Sequence, residues 1–212
     1  MDYFERSVLV INQADMLKEV ANISTGYAAT ALSTLLNEKV TMNVPEIDVR
    51  AIEDLPRLRV YHQEACGVVF SPLEGEIRGT IFFLTNIDTA IQLTNKLLPL
   101  EKQVSDLLEQ PLAQSAFQEV GNIMIGSYIS AIASLTNVQA YPLVTELSLD
   151  IGSAVLAEAT YHLVDHETFV FMETTMTIVN DLQKLEGVLI FLPDKASIHD
   201  LSAALQRLNG SS

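Results

Sequence analysis

The sequence predicts an α/β protein with an internally duplicated, mainly antiparallel β-sheet. Residues 15–46 and 115–146 align without a gap and are identical at positions spread along the whole segment. The apolar run at 79–84 has a counterpart at 187–192, again beginning with glycine. Segments rich in β-formers are joined by short turns, which favours antiparallel pairing because parallel neighbours need long crossover connections.

The repeat divides the chain into two similar halves, about 10–100 and 103–208, which we expect to form one domain over residues 1–212. The unit is too long for a solenoid repeat. The shared residues of the ungapped alignment are Glu19/Glu119, Val20/Val120, Asn22/Asn122, Ile23/Ile123, Gly26/Gly126, Ala31/Ala131, Leu35/Leu135, Asn37/Asn137, Val44/Val144 and Glu46/Glu146.

Each half has the pattern helix, strand, hairpin, helix. In the first half we predict a helix at 13–36, strands at 38–44, 66–72 and 77–84 with a turn at 74–76, and a helix at 87–98. In the second half we predict a helix at 103–135, strands at 138–144, 152–163, 168–177 and 187–192, and a helix at 196–208. The helix at 103–135 follows Pro99, and Pro111 is expected to interrupt it.

Both long helices carry a polar triplet within an otherwise apolar stretch. The triplets are Asp15, Glu19, Asn22 and Ser115, Glu119, Asn122. At about 100° per residue, positions i, i+4 and i+7 lie within roughly 60° of one another and form one stripe. Ordinary solvated side chains on an amphipathic helix are the alternative explanation. Duplication argues against it, because neighbouring positions diverge while Glu and Asn are repeated.

A glycine continues the stripe in both copies, at Gly26 and Gly126. Glycine in a helix costs about 1 kcal/mol relative to alanine. Its recurrence beside the polar groups indicates a place where the backbone of a partner comes close.

With these residues the sequence resembles the CheC family of chemotaxis phosphatases, which includes CheX and part of FliY. The family motif is Asp or Ser, three residues, Glu, two residues, Asn, then twenty-two residues and Pro. Asp15, Glu19, Asn22 and Pro45 fit it throughout. In the second copy Thr145 stands at the proline position, and Pro142 comes three residues early. We interpret the proline as a structural stop, so its loss bears more on the local backbone than on the chemistry.

The resemblance implies hydrolysis of the aspartyl phosphate of the response regulator CheY. Asn22 and Asn122 would orient the attacking water, and Glu19 and Glu119 would pair with the regulator's lysine. Asp15 and Ser115 would be peripheral to this site. No cofactor is implied for this chain, since Mg²⁺ is expected on CheY. The resemblance also implies a continuous six-strand sheet with the two motif helices on one face.

Composition agrees with a cytoplasmic signalling protein. The net charge of −15 argues against nucleic-acid partners and anionic membranes. No apolar run reaches the roughly 20 residues of a membrane span, and the N-terminus lacks a signal-peptide pattern. The lone cysteine, Cys66, excludes an internal disulfide and is expected to be a packed thiol at the start of a strand.

Two other function classes compete with the phosphatase. A non-catalytic module would sequester or regulate the receptor deamidase CheD, which the resemblance gives as a second partner. We assign Glu146 and Asp150 to a CheD surface, because the stretch 141–152 departs from its counterpart in the first half. A flagellar switch component like FliY would carry a further C-terminal domain, and the chain given stops at Ser212.

Other clusters are weaker. His162, Asp165, His166 and Glu167 have metal-ligand chemistry, but exposed polarity at a hairpin turn explains them better, so no metal site is predicted. Ser197, His199 and Asp200 contain the residue types of a catalytic triad, but such close neighbours on a helix point in divergent directions.

Overall fold

A computed structural model describes most of the chain. The described residues are 3–44, 46–58, 64–108, 110–161, 168–180, 183–197, 200 and 203–204, without the side chains of 3–17, 56, 57, 156, 158–161 and 183. The helices are α1 (Tyr3–Leu36), α2 (Ile87–Leu97), α3 (Pro111–Thr136) and α4 (Gly152–Tyr161). The strands are β1 (Val40–Asn43), β2 (Ile47–Ala51), β3 (Ala65–Gly75), β4 (Gly79–Asn86), β5 (Ala140–Pro142), β6 (Glu146–Ile151), β7 (Thr168–Ile178) and β8 (Gln183–Pro193).

The eight strands form one sheet in which every described pair is antiparallel. The order is β1-β7-β8-β4-β3-β5, with β2 also pairing with β7 and β6 also pairing with β3. Two short strands therefore follow one another along each edge, and the sheet is six positions wide. The predicted α/β class with a mainly antiparallel sheet is confirmed.

Strands from the two halves of the sequence are interleaved in this sheet. The edge strands of the first half, β1 and β2, pair with β7 of the second, and β5 and β6 pair with β3 of the first. At the centre, β4 pairs with β8 so that Phe82 lies opposite Ile190, its equivalent in the other half. The two halves are thus related by an approximate twofold axis through the β4–β8 pair.

The motif helices lie on one face of the sheet. Side chains from α1, α2 and α3 share a core with one side of the strands, and Phe83 of β4 meets Phe117 of α3 with ring centroids 6.3 Å apart. Burying each such side chain contributes about 1.5–3 kcal/mol. A smaller core, which includes Leu55, Cys66 and Val155, covers the opposite face beneath α4 and the 3₁₀ turn Ile52–Arg57.

Repeated asparagines end both motif helices. Asn37 and Asn137 adopt left-handed φ values of 52° and 53°, a conformation that asparagine tolerates better than most residues. The Asn137 N–H caps its helix by donating to the Ala133 carbonyl at 2.9 Å. The identity of these residues in the repeat therefore reflects a shared helix stop.

The predicted helix at 103–135 is wrong in its start, because α3 begins at Pro111. The N–H of the first residue of a helix has no partner within the helix. Proline, which lacks this group, therefore begins the helix instead of interrupting it. Asn95 of α2 fixes the preceding segment by accepting from the Val104 N–H at 2.7 Å and donating to its carbonyl at 2.8 Å.

The predicted strand at 152–163 is also wrong, because residues 152–161 form α4. This segment is rich in alanine, which favours helix. The strand lies just before it, at β6, and the equivalent β2 in the first half was not predicted. Of the predicted helix at 196–208, residues 196, 197, 200, 203 and 204 are helical and the rest lies outside the described residues.

Candidate active site

Helix α1 places Glu19 and Asn22 on its exposed side. Val20 and Ala21, between them in sequence, are buried, so the helix is fixed to the protein by one face and presents the two polar groups on the other. Asp15 also lies in α1, but its side chain is outside the described residues.

Helix α3 repeats this arrangement with Glu119 and Asn122 exposed. Here the two side chains contact each other: Nδ2 of Asn122 donates to Oε2 of Glu119 at 3.2 Å. Between them, Gly121 is buried against β3, where an added Cβ would overlap the side chain of Val69. The glycine therefore lets α3 approach the sheet closely and sets the position of the Glu/Asn face.

The amide of Asn122 is also held from the other end. Thr145, in the loop before β6, donates its hydroxyl proton to Oδ1 of Asn122 at 2.5 Å. Gln118 in turn donates from Nε2 to the Thr145 hydroxyl at 3.1 Å and to its carbonyl at 2.6 Å. Gln118 was not predicted as a site residue, and Thr145 was predicted to affect only the backbone. The signal was available, since Thr145 occupies the one motif position that departs from the family pattern.

The first copy lacks this network in the part of the chain that the structure describes. The Asn22 side chain makes no hydrogen bond among the described residues; only its backbone carbonyl accepts an additional one, from the Thr25 hydroxyl at 2.8 Å. Lys18 stands at the position of Gln118, and Pro45, at the position of Thr145, lies outside the described residues.

The glycines of the two stripes have no role in internal packing. A Cβ built on Gly26 or Gly126 meets nothing within 4 Å, and neither residue adopts a positive φ. Glycine is thus required at these positions neither by the core nor by the backbone, which agrees with the expectation of close approach by a partner.

A cleft of about 390 Å³ lies beside the second Glu/Asn pair, between the start of α3 and β6. Ser115 and Gln118 line it together with Leu147 and Leu149. Leu108, which also lines the cleft, is exposed, and so are Leu112, next to Pro111 of the lining, and Leu143 and Val144, just before Thr145. The second site therefore borders a concave surface with exposed apolar side chains nearby.

Glu146 and Asp150 lie away from both Glu/Asn faces. Both are exposed on β6, while Leu147 and Leu149, which alternate with them, pack towards the core shared with the motif helices. The Asp150 carboxylate accepts from the Ile151 N–H at 2.6 Å. Alternation therefore directs Glu146 and Asp150 towards the opposite face of the sheet.

Cys66 is a buried thiol near the start of β3, as predicted. Burial, aided by the negative charge of Glu64, raises the pKa of this thiol from 9.0 to about 12. It is therefore a neutral thiol at physiological pH and not a nucleophile.

Within the described residues, the structure gives no support to a metal site or a catalytic triad at the two weaker clusters. His162, Asp165, His166 and Glu167 lie outside the described residues, as does His199. Ser197 accepts from the Arg78 N–H at 2.7 Å, and its own N–H donates to Asp194, so it links two segments of the fold. Among the described residues, no group of His, Cys, Asp or Glu is arranged to hold a metal ion.

No helix in the described part of the chain is long and apolar enough to cross a membrane.

Known proteins are similar to this chain in the two segments that carry the Glu/Asn pairs and over most of its length. The model of the CheC-like family matches residues 13–48 and 112–144, the segments that contain the two triplets. The CheY-P phosphatase CheC of Bacillus subtilis strain 168 is 34% identical over 196 residues, covering 91% of this chain and 93% of that protein. The chain belongs to the CheC-like family. A second relative corresponds over a smaller part of its length. The flagellar motor switch phosphatase FliY of the same organism is 28% identical over 126 residues, which cover 58% of this chain and 32% of FliY.

Solved structures share this CheC-like fold. The crystal structure of Thermotoga maritima FliY superposes with a TM-score of 0.67 at 17% identity, covering 92% of this chain and 96% of that one. The chemotaxis protein CheX of Desulfovibrio desulfuricans gives a TM-score of 0.50 at 14% identity, covering 83% of this chain and 99% of that one.

Proposed function

We propose that this protein is a phosphatase that hydrolyses the aspartyl phosphate of the response regulator CheY. The observation that carries the proposal is the repeated, exposed Glu/Asn face on α1 and α3, within a chain 34% identical to a CheY-P phosphatase. An acyl phosphate needs little covalent help for hydrolysis, and the regulator itself carries the Mg²⁺ and the lysine that stabilise the transferred group. The missing component is a water held in line with the leaving carboxylate.

Asn22 and Asn122 supply that positioning in our proposal. An amide offers both a carbonyl acceptor and two N–H donors, so it can bind a water in a defined orientation without itself titrating. Placement of a reactant is worth several kcal/mol of the activation barrier. Both amides are exposed on helices, which gives them the reach to enter the active site of another protein.

Glu19 and Glu119 serve to dock the regulator. Each lies one helical turn before its asparagine on the same face, so a glutamate that pairs with a lysine of the regulator would place the amide beside the phosphate. In the second site, Oε2 of Glu119 accepts from Asn122, and a carboxylate retains further acceptor positions for an ammonium group. Asp15 and Ser115 are assigned to the periphery of this contact.

Short-range fit is the main source of affinity in this proposal. The net charge of −15 disfavours long-range attraction to a regulator whose active site carries acidic metal ligands. Exposed Leu112 and Val144 beside the second site, and the unobstructed glycines, provide apolar contact and close backbone approach instead. The chain is expected to act in the cytoplasm, where CheY resides.

The proposal is tested by phosphate release from acyl-phosphorylated CheY with and without the protein. Acceleration that increases with protein concentration supports it. An unchanged rate, with folded protein and a regulator that responds to Mg²⁺ removal, contradicts it.

A second proposed role, separate from catalysis, is binding of the receptor deamidase CheD. Its support is the placement of Glu146 and Asp150 on β6, exposed and directed away from the helix face that carries both Glu/Asn pairs. Two partners on opposite faces could bind together and influence each other's affinity reciprocally. Calorimetry of Asp150→Lys against CheD, with phosphate release measured in parallel, tests this role. Unchanged CheD affinity, or equal damage to both activities, excludes a dedicated surface at β6.

A further inference from the structure

Four side chains at the second site form a directional hydrogen-bond chain. Gln118 donates to the hydroxyl of Thr145, Thr145 donates to Oδ1 of Asn122, and Asn122 donates from Nδ2 to Glu119. The chain joins the loop before β6 to the exposed face of α3, so it ties the Asn122 side chain to the edge of the sheet.

The chemistry of the end groups fixes the direction of this chain. An ionised glutamate only accepts, so the Asn122 group that faces Glu119 must be the NH₂. The Asn122 oxygen therefore faces Thr145. The Thr145 hydroxyl already accepts from the Gln118 amide, so its own proton is available for Asn122. Glu119 and Thr145 therefore favour the same orientation of the Asn122 amide and disfavour the one in which its oxygen and nitrogen are exchanged.

We propose that Thr145 is a positioning residue for Asn122. The inference rests on the proposed function, in which Asn122 orients the attacking water. An amide oxygen has two lone pairs and an NH₂ group has two protons. Thr145 occupies one lone pair of the oxygen, and Glu119 accepts one proton of the NH₂ group. One lone pair and one proton of the amide therefore stay available for a water. Thr145 thus holds the amide in the orientation used for catalysis before the regulator binds.

The first site cannot repeat this chain, because the chain needs a hydroxyl at the last position of the motif. Proline at residue 45 has no hydroxyl, and Lys18, at the position of Gln118, can only donate. The departure of Thr145 from the family motif therefore adds a function at one site only. We expect loss of the Thr145 hydroxyl to lower kcat of the second site roughly tenfold, because an amide held only by Glu119 spends less time in the productive orientation.

The test isolates the second site in an Asn22→Ala background. Within it, Thr145→Val removes the hydroxyl at nearly constant volume, Thr145→Ser restores it, and Thr41→Val on β1 is a matched control for loss of an exposed threonine hydroxyl. Phosphate release from acyl-phosphorylated CheY gives kcat and KM for each variant, and circular dichroism and melting establish that each is folded. Adding Asn122→Ala to the background tests the catalytic proposal separately.

Thr145→Val should lower kcat with little change in KM, Thr145→Ser should recover most of the rate, and Thr41→Val should have no effect. Equal kcat for Thr145→Val and its background, while Asn122→Ala removes the activity, overturns the role of Thr145 and leaves the proposed function intact. Full activity after Asn122→Ala overturns the assignment of Asn122 to water orientation, whereas no acceleration by the unsubstituted protein overturns the proposed function itself.

A second measurement needs no turnover. In ¹⁵N NMR of the folded protein, the side-chain amide signals of Asn122 are identified by their loss in Asn122→Ala. Thr145→Val should shift them and accelerate their exchange with water, and Thr145→Ser should not. Identical Asn122 signals with valine and threonine at residue 145 overturn the inference even if the variants differ in rate.

Discussion

The hydroxyl of Thr145 donates to the side-chain oxygen of Asn122 at 2.5 Å across a sequence separation of 23 residues. The bond connects a loop at the sheet edge with a helix whose apolar side is buried and whose polar side is exposed. It gives the two copies of one motif different surroundings: the second asparagine is held by its neighbours, whereas no side-chain partner of the first is found among the described residues.

Replacing both motif glutamates should weaken docking more than chemistry. Glu19→Gln with Glu119→Gln keeps shape and removes the charge assigned to the regulator's lysine, so KM should rise several-fold while kcat changes less. Steady-state phosphate release gives both constants. Glu74→Gln, an exposed glutamate at the end of β3, is the control. A fall in kcat at constant KM would assign the glutamates to the chemical step instead.

Two glycines of α3 should respond oppositely to alanine. Gly121→Ala forces a methyl group into Val69 and should lower the free energy of unfolding by about 1–3 kcal/mol. Gly126→Ala meets open space and should raise it by up to about 1 kcal/mol through helix propensity. Urea unfolding of both variants measures the difference. Equal stability of the two variants would contradict the close packing of α3 on β3.

The stabilising glycine substitutions should nevertheless impair activity. Gly26→Ala and Gly126→Ala leave the core untouched, so a higher KM for phosphorylated CheY would report a partner backbone that comes close at these positions. Ser134→Ala, an exposed position of α3 turned roughly 80° around the helix from Gly126, is the comparison. If the glycine variants keep the wild-type KM, the stripe contacts no partner there.

The stability contribution of Cys66 should decrease in alkali. Burial raises the pKa of its thiol from 9.0 to about 12, so the folded protein keeps the proton over a range in which the unfolded chain releases it. The stabilisation is complete below pH 9.0 and is lost as the pH rises towards about 12. The difference in unfolding free energy between wild type and Cys66→Ala should therefore be smaller at about pH 11 than at neutral pH. A constant difference would show that the thiol titrates alike in both states.

The duplicated halves were predictable because the repeat preserves residues with separate physical roles. Asn37 and Asn137 end helices in the left-handed conformation, and Gly79 at the start of β4 corresponds to Gly187 within β8, the equivalent central strand. Residues 152–161 were wrongly predicted as a strand because their apolar content suits a strand and a helix equally. Their alanines favour a helix. The sequence alone does not show that the strand paired with β3 is β6, which ends at Ile151, just before this helix.

The positions of the candidate site residues were predictable in part, because they too are repeated. Glu19, Asn22, Glu119 and Asn122 follow from helical spacing and duplication, and the structure places all four on exposed helix faces. The contact of Gln118 and Thr145 with Asn122 depends on where the loop before β6 meets α3, a tertiary relationship that local spacing does not contain.

Phosphate release by the Asn22→Ala/Asn122→Ala double variant tests the central claim most directly. Exposed amides contribute little to stability, so the variant should retain the circular dichroism and melting of the wild type. Each single variant should keep measurable activity, and the two residual rates should sum to about the wild-type rate if the sites are independent. The account predicts that the folded double variant no longer accelerates dephosphorylation of CheY. Wild-type acceleration by that variant would contradict it.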